Sequence, residues 1–229
     1  GVDELIYYMF SDRHRQKPDP DRRYDRIYIG GDYGQQNATT FEAFGLDTYR
    51  KKFPGLGEYY HSGRESGRQK SPSEYARDLV EFMDGLHEQY ENRIFYIFLD
   101  PSAKGLAEEV RRATRTGLDY QVFLRDAEND VALGISRVQK ALVFDIMSIS
   151  PKQEYAVQEF GTYEYDKKSI EKGKEVPVKE ADHCMDAIRY VVMGAWSNIK
   201  HWLPLDIVED DVNIGDIGSR EVREEDEYL

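Results

Sequence analysis

Apolar and polar positions follow two periods along this chain, one of a strand and one of a helix. Residues 5–10 form an apolar stretch that reads as an edge strand, and the polar, proline-containing segment up to Arg26 reads as a linker or loop. Ile27-Tyr28-Ile29 is a β-rich run that stops in Gly30-Gly31-Asp32-Tyr33-Gly34, and residues 39–46 make a second strand at a spacing that suits a hairpin. Tyr59-Tyr60-His61 marks a third strand, and residues 62–70 read as an exposed loop. Ser71-Pro72-Ser73-Glu74 predicts a helix start, with Ser71 as cap, Pro72 in the first helical position and Glu74 closing a capping box; that helix should run to about Tyr90. The unbroken apolar run Ile94 to Leu99 predicts a central strand buried on both faces.

The pattern continues with a helix from about Ala103 to Arg115, stopped by Gly117, and a short strand from Tyr120 to Leu124. Asn129 is placed to cap a helix whose apolar face is Val131, Ile135 and Val138. A strand over 142–146 and a helix from Ser150-Pro151 through Phe160 follow. Residues 164–179, dense in Lys and Glu, read as a loop or exposed hairpin. The last helix spans about Glu180 to Ser197, with Met185, Ile188, Val192 and Ala195 on one face. There is no internal repeat. Alternating strands and helices predict an α/β domain, a central mixed β-sheet flanked by α-helices.

Composition sharpens this picture. Hydrophobic residues at 40% and aromatics at 13% of 229 residues suffice for one sizeable core. The single cysteine, Cys184, excludes an internal disulfide and a Cys-based zinc cluster, and suits a reducing compartment. The longest apolar run is too short to span a membrane, and no secretory signal is visible, so no membrane association is expected. The formal charge of −13 is uneven: residues 205–229 hold ten acidic residues against Arg220 and Arg223, a net −8, which leaves −5 on residues 1–204. The expected division is therefore a domain over 1–204, with 1–26 as its N-terminal strand and linker, and an acidic, disordered tail over 205–229.

Three aspartates stand at the ends of core elements. Asp32 ends the first core strand, Asp100 ends the most apolar one, and Asp186 lies beside the apolar face of the last helix. If the first two strands are parallel neighbours, their carboxylates emerge side by side, an arrangement that raises a pKa unless a cation intervenes. Mg²⁺ or Mn²⁺ would resolve it, and two such ions can clamp the attacking and leaving oxygens of a phosphodiester. Each aspartate also has a plainer role open to it: a turn at Asp32, a helix start at Asp100, an intrahelical pair with Arg189 at Asp186. Asp182, on the same helical face as Asp186, is a further metal ligand or, as the preferred reading, the helix N-cap. His183 is a proton shuttle, an outer-shell donor, or an uninvolved side chain.

Gly30-Gly31-Asp32-Tyr33-Gly34, Phe98-Leu99-Asp100-Pro101-Ser102-Ala103 and Asp182-His183-Cys184-Met185-Asp186-Ala187-Ile188-Arg189-Tyr190 together resemble the three acidic motifs of phage terminase large-subunit nucleases. Gly134-Ile135-Ser136-Arg137-Val138 and Pro177-Val178-Lys179-Glu180 resemble further family segments, and the likeness covers about residues 5–200. The resemblance implies a ribonuclease H-like fold, catalytic acids at Asp32, Asp100 and Asp186, two Mg²⁺ or Mn²⁺ ions, and cleavage of concatemeric viral double-stranded DNA in the host cytoplasm. It also implies an ATPase domain elsewhere in the full protein, with a small terminase subunit and a portal as partners. No Gly-x-x-x-x-Gly-Lys-Ser/Thr loop occurs here, so this chain is not expected to hydrolyse ATP. The stretch 49–71 does not align with the family.

Two cationic stretches could hold DNA phosphates: Arg50, Lys51, Lys52, Arg64, Arg68 and Lys70 in one, and Lys167, Lys168, Lys172, Lys174 and Lys179 in the other. No base-reading motif is present, so little sequence preference is expected. Another ribonuclease H-like nuclease, resolvase- or transposase-like, and a non-catalytic docking module of a packaging motor stand as alternatives; divalent-ion binding separates the enzymes from the module.

Overall fold

A computed structural model describes residues 4–34 and 36–208. Six strands form one mixed sheet in the order β5-β4-β1-β2-β3-β6. The strands are β1 (Arg26–Asp32), β2 (Ala38–Leu46), β3 (Phe53–Ser62), β4 (Ile94–Leu99), β5 (Gln121–Asp126) and β6 (Met147–Ser148). β1, β2 and β3 are antiparallel, whereas β4 and β5 run parallel to β1. The register pairs Gly31 with Leu99, so β1 and β4 end side by side.

Side-chain parity sorts the sheet into two faces. Ile27, Ile29, Phe95, Ile97 and Leu99 point into one core with Leu79, Met83, Leu106 and Val110 of helices α2 (Pro72–Tyr90) and α3 (Lys104–Thr114). Tyr28, Phe44 and Phe98 point into the other, against α4 (Val131–Val143), α5 (Glu154–Phe160) and α7 (His183–Ile199). Asp32 and Asp100 share the parity of Tyr28 and Phe98, and so belong to the α7 face. The helix lies tightly on β1 because residue 30 has no side chain: a Cβ there would stand 2.0 Å from the Ala187 carbonyl oxygen and 2.6 Å from Val191 Cγ2. Met185, Ile188, Val192 and Ala195 are all buried, as the helical spacing predicted.

Several sequence expectations shift. Residues 5–10 form no strand of the sheet; Leu5 makes a single bridge to Glu164, while Ile6 and Tyr7 are buried. The α2 capping box forms as read, with Ser71 accepting from Glu74 N and Glu74 accepting from Ser71 N. Asp130, not Asn129, caps α4. That helix continues through Val143, where a strand was expected, and β6 begins only at Met147. The 62–70 segment opens with a short helix, α1 (Gly63–Ser66), and the 164–179 excursion contains another, α6 (Lys167–Glu171). Leu205 and Asp206 are exposed, but Ile207 is buried beside Met9, Val143 and Phe144. The acidic segment 209–229 lies outside the described residues. No helix among the described residues is long and apolar enough to cross a membrane.

Candidate active site

The neighbouring ends of β1 and β4 carry Asp32 and Asp100, and α7 crosses the same face with His183, Asp186 and Tyr190. His183 Nδ1 lies 2.9 Å from Asp32 Oδ2 and 3.9 Å from Asp182 Oδ1. The Tyr190 hydroxyl donates to Asp100 Oδ2 at 3.3 Å. Arg189 reaches Asp186 Oδ1 with Nη2 at 3.3 Å and Asn129 Oδ1 with Nη1 at 3.1 Å. That guanidinium is almost wholly buried, and its Nε has no hydrogen-bond partner.

The plainer roles are partly real, and they leave the carboxylates incompletely satisfied. Asp100 Oδ1 accepts from Ser102 N at 2.8 Å and turns the chain, while Oδ2 faces Tyr190. Asp186 does pair with Arg189, yet burial, followed by the charges of Asp32 and Asp182, pushes its carboxyl up to about 7. Asp182 stands in the N-cap position of α7 but makes no side-chain cap bond. Glu159 of α5 does that work instead, accepting from Cys184 N at 2.9 Å and Met185 N at 3.2 Å. Asp182 is thus the N-cap residue, as read, but the side-chain bonds of that cap come from Glu159. Its carboxyl is raised, first by burial and then by Asp32 against the opposing pull of His183. His183 is raised above the usual imidazole range by its hydrogen bond to Asp32, which outweighs burial. Burial alone would raise Asp100, but Ser102 and Tyr190 hold it below the usual carboxylate range.

This donor set suits a hard divalent cation. Oxygen ligands crowd into a half-buried site, and their mutual repulsion helps hold Asp186 up. Among the described residues, the oxygens of Asp32, Asp100 and Asp186 do not all lie within 4.8 Å of one another. Asp100 lines one cavity, and Asp182, Asp186 and Tyr190 line another.

Only some of the candidate cations line the cavities beside these carboxylates. Arg64 and Lys179 line a cleft with Asp182 and His183, and Lys179 also lines a second cavity with Asp182, Asp186, Arg189 and Tyr190. Beyond Asp100, a third cavity is lined by Lys104, Arg111 and Arg125, which the sequence reading missed. Arg68 and Lys70 are tied instead to α2, through Glu74 and through Asp78 at 2.6 Å. Lys167, Lys168, Lys172 and Lys174 are exposed around α6 and line none of these cavities. Arg50, Lys51 and Lys52 occupy the β2–β3 turn, at the opposite end of β1 from Asp32.

No protein-family model and no curated protein sequence matches the chain. Solved structures do. The large terminase of a thermophilic bacteriophage, in complex with ADP, is 33% identical over 82% of this chain, with a TM-score of 0.71. The chain spans 44% of that protein's length. The nuclease domain of the bacteriophage P22 large terminase matches over 83% of this chain and 92% of its own, at 16% identity and TM-score 0.60. The large terminase nuclease of thermophilic phage G20c, with bound cobalt, matches over 82% and 96%, at 16% identity and TM-score 0.54. The latter two likenesses are of fold, the ribonuclease H-like sheet described above.

Proposed function

As the chain belongs to the large-terminase family and has the fold of its nuclease domains, we propose that it is a divalent-metal-dependent endonuclease, cutting concatemeric viral double-stranded DNA with little sequence preference during genome packaging. What supports this reading is that Asp32 and Asp100, at the ends of neighbouring strands, and Asp186 of α7 lie on the same side of the sheet, each held by its own α7 partner: His183, Tyr190 and Arg189. The cobalt bound to the G20c nuclease supports a metal site in this fold.

Asp32 and Asp100 would hold one ion and Asp186 a second, with Asp182 as a further ligand. Bound Mg²⁺ or Mn²⁺ would neutralise charge on the scissile phosphate, activate water and stabilise the leaving 3′-oxygen. The protein's own groups set the stage. His183 keeps a proton between Nδ1 and Asp32, which fixes the direction of that carboxylate. Tyr190 orients Asp100, and Arg189 orients Asp186. Arg64 and Lys179 on one side, and Lys104, Arg111 and Arg125 on the other, would steady the DNA backbone. We assign this role to residues 1–204 of a longer protein that works in the host cytoplasm with an ATPase domain, a small subunit and a portal.

Plasmid nicking in Mn²⁺ tests the assignment. Asp32→Asn and Asp100→Asn should each reduce nicking about 100- to 1,000-fold, the scale of losing a main electrostatic contributor to the transition state, with melting behaviour little changed. Full activity in either variant would refute it.

A further inference from the structure

A second group of potential ligands lies under the first turn of α7, away from the aspartates. Glu42 of β2 and Glu58 of β3 stand directly opposite each other in the strand register. Like charges in that position repel, and Glu42 is fully buried. Cys184 completes the group: its Sγ lies 3.7 Å from Glu58 Oε2 and 3.7 Å from Thr40 Oγ1. One ligand atom each from Glu42, Glu58 and Cys184 falls within 4.8 Å of the other two. Around a tetrahedral zinc ion, sulfur and oxygen ligands stand about 3.6 Å apart.

Independent of that spacing, Oε1 of Glu42 is buried without a hydrogen-bond partner. Native proteins rarely leave such an acceptor unmatched. Gln153 Nε2 approaches its other oxygen at 3.4 Å, and Glu58 and Cys184 also stand within hydrogen-bonding reach of the carboxyl. The remaining members are held in place from behind. Glu58 accepts from Tyr155 N and Ala156 N, both at 2.9 Å, and Glu159 grips the backbone of Cys184. Outer contacts of this kind orient metal ligands.

We propose that Glu42, Glu58 and Cys184 form a structural metal site for a thiolate-accepting ion of the Zn²⁺ type, distinct from the aspartate site. The ligand chemistry separates the two: a thiolate disfavours Mg²⁺ and favours Zn²⁺ or Co²⁺, whereas an all-oxygen set does the reverse. An ion here ties β2 and β3 to the start of α7, one residue from His183, and so fixes the helix that carries Asp186.

The test uses the full chain with Asp32, Asp100 and Asp186 all replaced by Asn, so that its outcome does not depend on the proposed nuclease chemistry. After dialysis against a weak chelator, bound zinc is counted by elemental analysis, and Co²⁺ loading is followed by absorption. One retained equivalent, and a thiolate-to-cobalt charge-transfer band in the near ultraviolet, are expected; both should disappear in Cys184→Ser and in Glu42→Gln. Cys184→Ser changes one buried atom, so it serves alone if Glu42→Gln fails to fold. Absence of a retained ion, or an ion retained undiminished in Cys184→Ser, would overturn the site and leave a proton shared between Glu42 and Glu58.

Discussion

With most of its surface buried and Asp32 and Asp182 as neighbours, Asp186 stays near 7 although Arg189 stands 3.3 Å away. One guanidinium does not balance three carboxylates, and a divalent cation would. Its ordinary value is 3.8, so the contribution of Asp186 to the stability of the metal-free chain is fully present below that pH and is lost as pH rises through about 7. Protons and cations compete for the same oxygens. Mn²⁺ affinity measured by calorimetry should therefore fall about tenfold per pH unit below 7, and Asp186→Asn should flatten that dependence. An unchanged slope in the variant would place the titrating group elsewhere. At this scale the sequence revealed the three aspartates, because each stands where an apolar run ends or beside an apolar face. It could not reveal that Asp182 leaves the capping of α7 to Glu159, a partner on another helix. Nor could it reveal the opposition of Glu42 and Glu58, which exists only through strand register.

Among the elements, α7 and β1 set the geometry together. Their close approach depends on residue 30, where any Cβ would meet the helix backbone at 2.0 Å. Gly30→Ala should cost roughly 3 kcal/mol or more by overpacking, measured by urea unfolding, and should impair nicking beyond its effect on the folded fraction, because the helix carrying Asp186 must move off the sheet. A neutral substitution would show that the helix is held elsewhere. Elements with local signals were readable in advance: the Ser71–Glu74 capping box lies within one turn, and Ile94–Leu99 is apolar throughout. Elements defined by distant partners were not. β6 is two residues long and exists as a strand because it pairs with Phe53 and Pro54. The Arg68–Lys70 segment looked like a free basic loop, yet Glu74 and Asp78 of α2 engage it.

Over the whole molecule, a formal charge of −13 coexists with a few cations in the cavities beside the aspartates, Arg64 and Lys179 in one and Lys104, Arg111 and Arg125 in another. Affinity for DNA should then be local in origin and steeply dependent on salt. Lys179→Ala and Arg64→Ala should each weaken binding of a random-sequence duplex and lower the slope of log affinity against log salt by up to about 1, whereas Lys172→Ala, which lines none of these cavities, should leave both unchanged. Fluorescence anisotropy over a salt series reads this directly, and equal effects from all three would dissolve the distinction. The most direct measurement is crystallographic: Mn²⁺ soaked into crystals of the chain and located by anomalous scattering. Manganese should appear among the carboxylates of Asp32, Asp100 and Asp186. Manganese bound only elsewhere, with those three side chains unliganded at saturating concentration, would contradict the account.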